Sequence, residues 1–454
     1  MPTPDTGVPP DFDRHFRRLV WFLFGVIMIV AAVMYGKKAD DDRSAFIRWR
    51  PQVLQFWQGV NIYDVAMFPN PPIMPITLYP FMRLPKIPGA LCWFGFKVVL
   101  TLVSIWLCYK MARADPRPFP SWAQAGILVF SLRPILGDLH HGNNNLLILF
   151  LIVSALYAWR EGYDVLAGFV LALAISYKVT PALFVPYFMY KRSWRTVGAT
   201  CLGIGVFLLV VPSLIIGPQF NGECLMMWWH RMLSPYVSDG VASPQEVNQS
   251  MVGVLTRLLT ETGTGAGRYE VHLDVNLVAW PAAAVSNLIK VLSVAFVGLL
   301  AIFCRTKTDR RTDPRLLGEF ALVVLTMLFV SERSWKHHFV TLLIPYTYLM
   351  ARFLNRKLPA GTRVTLALAM WFSVFLMATT SSEVGGILQH GQGHKYAQAY
   401  GMFFVAGLVV YAATAWQVVA ARREGGNGAE IDRELEVPAP HFTAASRAAA
   451  PREA

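Results

Sequence analysis

Apolar runs about as long as a bilayer is thick recur along the chain, separated by short polar segments. A helix needs about 20 mostly apolar residues to cross the hydrocarbon core. Windows of that kind fall near 19–36, 91–112, 122–138, 143–159, 164–177, 180–190, 195–217, 283–304, 316–331, 338–354, 362–381 and 397–420. Two of them, 164–177 and 180–190, are short for a crossing and read as one broken pair, a form tolerated at membrane depth where protein encloses it. Composition agrees: 55% of the 454 residues are hydrophobic and 15% charged, with a mean hydropathy of +0.42. A water-soluble fold has no dry place for so much apolar surface. The chain reads as an all-α polytopic membrane protein of about twelve transmembrane helices.

The net charge of +13 would suggest nucleic acid in a soluble protein. Here RHFRR, KMARADPR, AWREGYD, KRSWR, CRTKTDRRTDPR, RFLNRK and ARRE all fall on one side if the N-terminus is cytoplasmic. That is the positive-inside pattern. It argues against a nucleic-acid partner and predicts a multi-pass protein of the plasma (inner) membrane with both termini in the cytoplasm. The other connections are KKADDDR, GDLHHGNNN, YKVTP, the 218–282 segment, SERSWKHH and SSEVGGILQHGQGHK. They carry the His, the Asn and most of the clustered acids, and only Lys37 and Lys38 run against the alternation. Polar residues gathered at one membrane face suggest a functional site there.

Residues 1–15 are expected to be a disordered cytoplasmic N-terminus, 16–422 the membrane domain, and the Ala-, Glu- and Pro-rich 423–454 a disordered cytoplasmic tail. The first apolar run, after Arg14, His15, Arg17 and Arg18, resembles an uncleaved signal anchor. In the first outer segment, SAFIRWRPQVLQFWQG places Phe46, Ile47, Val53, Leu54, Phe56 and Trp57 at helical spacing. This predicts an amphipathic interfacial helix, with Pro51 breaking its first turn. PNPPIMP is too proline-rich for regular helix. Cys92, Cys108, Cys201, Cys224 and Cys304 form no CxxC or Cys/His cluster, so no zinc site is expected; a Cys92–Cys224 bridge on the outer face stays open. Adjacent histidines rarely bind one ion together, so His140–His141 and His337–His338 predict no metal either. GTGAG at 263–267 follows no strand and is no P-loop. No soluble domain and no internal repeat is visible.

Several stretches then line up in order: DDDR with an interfacial helix ending in QGVNIYD; PNPPI; GNNNLLILFLIVSALYAWR; LAGFVLALAISYKVTPALFVPYFMYKRSWR, with Lys178 and Pro181; NQSMVGVLTRL; and SERSWKHHF. Together, over roughly residues 15–420, they resemble glycosyltransferase family 87, polyprenol-phosphate-sugar-dependent enzymes of the GT-C fold. That family includes bacterial mannosyltransferases that extend phosphatidylinositol mannosides. Gly142 is followed by Asn143 where the family often has Gln. The family's acidic residue lies closer to the glycine of the interfacial helix than Asp40, Asp41 and Asp42 do. The resemblance implies a GT-C fold, a polyprenyl-phosphate hexose donor with mannose as the expected sugar, a lipid or glycan acceptor among the membrane lipids, and no cofactor. A divalent cation held by the aspartates stays open.

Such a transfer is a single displacement. A carboxylate takes the proton of the acceptor hydroxyl, which attacks the anomeric carbon as phosphate leaves. The expected base is Asp42, with Asp41 next. Arg43 lies beside them. The leaving phosphate calls for cations and donors: Lys178, Arg333 or Lys336, and one of His337 and His338, which point about 100° apart on a helix. Trp335 offers an apolar face to the sugar ring or lipid stem. Asn248 and Gln249 offer side-chain amides to sugar hydroxyls. Asn143 joins this set, with two of Asn143, Asn144 and Asn145 read as helix caps. Blander readings compete: a solvated acidic run, a snorkelling lysine and an anchoring loop. The alternative function is a transporter or lipid flippase, which usually shows repeats and mid-membrane charge. Arg133 and Glu319 are the intramembrane exceptions, both close to loops. Nothing speaks positively for a non-enzymatic scaffold.

Overall fold

The computed structural model describes residues 10–66, 68–112, 119–235, 243–264, 273–387 and 392–435. Regular structure among them is helical, and the one β contact is an antiparallel bridge between Asn248 and Trp335. Six helices are long and apolar enough to cross a membrane: Phe12–Asp40, Lys86–Ala112, Trp194–Ile216, Ala282–Phe303, Ala360–Ala378 and Met402–Glu424. The other six predicted segments are helical too, but shorter or more polar.

Burial separates two kinds of helix. Phe12–Asp40, Trp194–Ile216 and Ala282–Phe303 leave most residues on the outside of the bundle, where acyl chains would solvate them. Pro314–Val330 is apolar nearly all round, and every residue from Leu316 to Phe329 is buried. It packs against the helices Ala282–Phe303, Leu343–Phe353 and Met402–Leu435.

Several expectations change. Pro51 does not break the first turn: the Ala45–Phe56 helix starts from the Ser44 N-cap and runs through it. Proline forfeits one N–H here, while Phe46, Ile47, Val53 and Phe56 are buried, Phe46 against Trp93 and Phe56 against Phe220. The helix Ile73–Met82 begins inside PNPPIMP and contains Pro75 and Pro80. The first helix spans Pro10–Asp40 and the last Met402–Leu435. Residues 436–454 lie outside the described residues. Cys92 is exposed and Cys224 buried, both as free thiols.

Candidate functional site

Three interruptions of helix converge at one end of the bundle. The first is at Gly142, whose left-handed backbone (φ 76°) closes Ser121–His141 and turns the chain into Asn145–Arg160. A Cβ there would meet the Tyr35 hydroxyl at 2.7 Å, so glycine serves both turn and packing. The second is at Lys178, extended between the helix Asp164–Tyr177 and the 3₁₀ turn Thr180–Leu183. Pro181 has no N–H to offer the Tyr177 carbonyl four residues back. Asn70, from the PNPP stretch, supplies the missing donor at 2.7 Å. The third is the 331–335 loop, which enters the 3₁₀ turn Lys336–Leu342.

These interruptions wall a cleft of about 340 Å³. Lys178, His338, Arg333, Trp335 and Asn143 all line it, so most of the predicted phosphate- and sugar-binding set comes together. Lys178 is half-buried, and its Nζ donates to Asn145 Oδ1 at 2.9 Å. Asn145 donates in turn to Asp138 Oδ1, from Nδ2 at 3.0 Å and from its backbone N at 3.2 Å. Asp138 Oδ2 takes Lys97 Nζ at 3.1 Å, with both side chains fully buried. The amide of Asn145 is therefore oriented by Asp138, and its oxygen must face Lys178. One carboxylate thus serves a chain with a lysine at each end, one of them at the cleft. Sequence reasoning missed Lys97 and Asp138. The available signal was a lysine in the middle of the 91–112 run, since buried intramembrane charge needs a partner.

Of the two loop histidines, His338 lines the cleft and His337 lies buried behind it. His338 Nδ1 accepts from the Trp335 backbone N at 3.2 Å, which puts the proton of the neutral ring on Nε2. His337 stacks on His141 at 4.6 Å, and Asn143 Nδ2 donates to its Nε2 at 3.1 Å. Burial, with Lys178, Lys336, Lys97 and Lys38 around it, holds His337 well below the usual histidine range, hence neutral at pH 7. The Trp335 indole Nε1–H is buried without an acceptor. In the same loop, burial pushes the Glu332 carboxyl up to about 7, opposed by Arg333.

Asn248 and Gln249 stand elsewhere. Both are fully buried and away from the cleft wall. Asn248 Nδ2 donates to the carbonyls of Ser243 and Glu332, each at 2.9 Å, and Oδ1 accepts from the backbones of Ser250 and Ser334. Gln249 Nε2 donates to the carbonyls of Glu246 and Gln398, and Oε1 accepts from Phe403 N. These amides are spent largely on the fold, and neither lines the cleft. What they do instead is pin the 331–335 loop, together with the Gln249 N to Ser334 O bond of 2.7 Å. Beneath them the guanidinium of Arg257, fully buried, donates to the carbonyls of Gln245, Asn248, Gln398 and Ala399.

The aspartates lie outside the cleft, and no carboxylate lines it. Asp42 takes a left-handed backbone (φ 57°) after the first helix, and its mostly exposed carboxylate pairs with Lys86 at 2.8 Å. It lines an adjoining cavity of about 320 Å³. Arg48 lines both cavities and so stands between them. Asp41 and Arg43 are exposed and line neither. Among the described residues no His, Cys, Asp and Glu group is arranged to hold a metal ion.

The sequence profile of glycosyltransferase family 87 matches residues 68–332, more than half of the chain. The matched stretch contains Asp138, Asn145, Lys178 and Asn248; Asp42 and His338 fall outside it. A polyprenol-phosphate-mannose-dependent alpha-(1-2)-phosphatidylinositol mannoside mannosyltransferase of Mycolicibacterium smegmatis is 25% identical over 385 residues, 81% of this chain and 80% of its own. A protein of the same description from Mycobacterium tuberculosis is 23% identical over 426 residues, 87% and 91% of the two chains. A polyprenol-phosphate-mannose-dependent alpha-(1-2)-phosphatidylinositol pentamannoside mannosyltransferase of Mycobacterium tuberculosis is 24% identical over 283 residues, 61% and 56%. No solved structure gives a significant match.

Proposed function

The chain belongs to glycosyltransferase family 87, and on that footing we propose that it transfers mannose from a polyprenyl-phosphate donor to a phosphatidylinositol mannoside-like acceptor at the outer face of the plasma membrane. The relatives' described activities support the donor, the sugar and the acceptor class. The proposal keeps twelve spans with both termini inside, so that Asp42, Lys178 and the 331–338 stretch face out.

One observation carries the reading: a cleft that joins basic side chains to an apolar wall where helices end. A lipid-linked donor presents its phosphate at headgroup depth with its prenyl chain in the bilayer. The cleft offers Lys178, Arg48 and Arg333 to the phosphate, and Trp49, Trp228 and Met232 to the lipid stem. As the anomeric C–O bond breaks, the oxygen leaves with the electron pair and phosphate gains charge. In this reading Lys178, the His338 Nε2–H and the Trp335 Nε1–H, all from residues that line the cleft, meet it. Asn143 holds the histidine stack and offers its remaining polar edge to the sugar. The acceptor enters from the Asp42 cavity, and Asp42, or Asp41 next, takes its hydroxyl proton. Arg48 then lies between the two substrates, and Arg43 adds positive charge at the acceptor side. Opening the Lys86–Asp42 pair costs little, because surface pairs are worth about 0–1 kcal/mol. The reaction so drawn needs no cofactor.

The test uses the purified full chain in nanodiscs, labelled polyprenyl-phosphate mannose and a phosphatidylinositol mannoside acceptor. Labelled mannose on the acceptor is the expected result. Transfer from a different polyprenyl-phosphate hexose alone would overturn the choice of sugar, and no transfer from any such donor would overturn the function.

A further inference from the structure

The far end of the bundle carries a second cavity. The buried helix Pro314–Val330 carries Glu319, which accepts from the Thr306 backbone of that cavity, near its start and leads into the 331–335 loop at its end, so cavity and cleft lie towards its opposite ends. There the short Phe184–Tyr190 helix and Ala282–Phe303 part to leave an apolar groove of about 210 Å³. Leu183, Pro186 and Tyr187 line one side, and Val297, Leu300 and Ala301 the other. At Tyr190 and Cys304, which line both spaces, the groove runs into a polar cavity of about 460 Å³. Its mouth is basic. Arg192, Arg305 and Lys307 are exposed there against one acid, Asp309.

The walls are built rather than loose. Lys191 Nζ is 2.6 Å from Glu319 and donates to the carbonyls of Cys304 and Thr306 at 2.8 and 2.7 Å, so it fixes the cavity and is not offered to a ligand. The Tyr190 hydroxyl bridges the two helices by donating to the Ala301 carbonyl at 3.0 Å. Arg192 sits in a left-handed backbone (φ 54°), uncommon for arginine, which presents its side chain at the turn.

We propose that the groove and the cavity together hold one anionic diacyl phospholipid, with an acyl chain in the groove and the phosphate headgroup against Arg192, Arg305 and Lys307. Two features choose this occupant. The charge is complementary to a phosphodiester, and the groove lies on the flank of Ala282–Phe303, a helix whose exposed surface calls for lipid. A free phosphate has no use for the groove. Basic residues that merely follow the positive-inside bias predict no dependence on it.

The experiment measures binding of fluorescent phosphatidylglycerol and phosphatidylcholine to the full chain in nanodiscs. Neutralising three basic contacts should remove a preference of roughly tenfold or more. The expected result is that wild type prefers phosphatidylglycerol by that factor. R192Q/R305Q/K307Q should bind both lipids alike. Ala301→Trp, which fills the groove and keeps the charges, should weaken phosphatidylglycerol binding. Lys357→Gln with Arg423→Gln, basic residues that do not line the cavity, should leave the preference intact. The proposal is overturned if the triple variant keeps the preference, if the control pair removes it equally, or if Ala301→Trp binds as wild type does.

Discussion

Among the described residues two lysine–carboxylate pairs of the same chemistry are buried near opposite ends of the bundle, and their surroundings differ. Lys191–Glu319 is a closed circuit. Glu319 also accepts from the Tyr187 hydroxyl at 3.0 Å and the Thr306 backbone at 2.7 Å, and Lys191 from its side reaches two carbonyls. Every strong group there finds its partner within the fold. Lys97–Asp138 is an open one. Asp138 passes its second oxygen through Asn145 to Lys178, and the chain ends in a cleft. Buried charge is thus common to both ends; what differs is a chain of hydrogen bonds that ends at a cleft.

The largest effect should come from Asp138→Ala. It leaves Lys97 buried without a counter-charge and frees Asn145 to turn away from Lys178. Breaking such a pair costs about 3–5 kcal/mol, so the melting temperature should fall sharply and sugar transfer should vanish. Transfer near wild type would break the link between the pair and the cleft. Glu319→Gln should cost a similar amount, about 3 kcal/mol of stability, yet kcat/KM per folded molecule should stay unchanged. A kinetic defect in that variant would erase the contrast between the ends.

Lys178→Gln should do the reverse. Removing a group that meets transition-state charge costs about 3 kcal/mol, roughly a hundredfold in kcat/KM, with little change in melting temperature. Next come the histidines. His338→Ala should lower transfer by about 2 kcal/mol, roughly thirtyfold, without unfolding. His337→Ala should mainly destabilise, because it removes the stack on His141. Equal kinetic loss in both would mean that the loop acts as one anchoring unit.

The smallest effect concerns Glu332. Its pKa is raised from its ordinary value near 4.5 to about 7, so the folded state binds the proton more tightly than the unfolded chain. Stability should then fall as pH rises from about 4.5 to about 7 and level off above. Glu332→Gln should flatten that slope in a melting series. An unchanged slope would assign it to other groups.

Much of this was legible in the sequence for a physical reason. Bilayer thickness imposes run length, so helices appear over each predicted apolar segment. Lys178 stood out because a lysine three residues before a proline interrupts two apolar runs. SERSWKHH stood out because it was polar where its neighbours were not. Asn248 and Gln249 could not be read: an amide that clamps backbone and an amide that holds sugar have the same composition, and the acceptor, Glu332 or Gln398, is far away in sequence. Lys97 and Asp138 pair across two helices, 41 positions apart, which periodicity does not report. Pro51 misled for the opposite reason, since burial of four apolar residues outweighs one missing hydrogen bond. The aspartates were found as a cluster, but their separation from the cleft is a distance, and composition holds no distances.

The central claim is that the Lys178 cleft binds the donor's phosphate while the carboxylate acts from the neighbouring cavity. The most direct measurement is the affinity of sugar-free polyprenyl phosphate for the purified protein and two variants. A charge-assisted contact is worth about 1.5–3 kcal/mol, roughly ten- to a hundredfold. The account predicts a loss of that size in Lys178→Gln, and wild-type affinity in Asp42→Asn alongside abolished transfer. Wild-type affinity in Lys178→Gln, or lost affinity in Asp42→Asn, would contradict it.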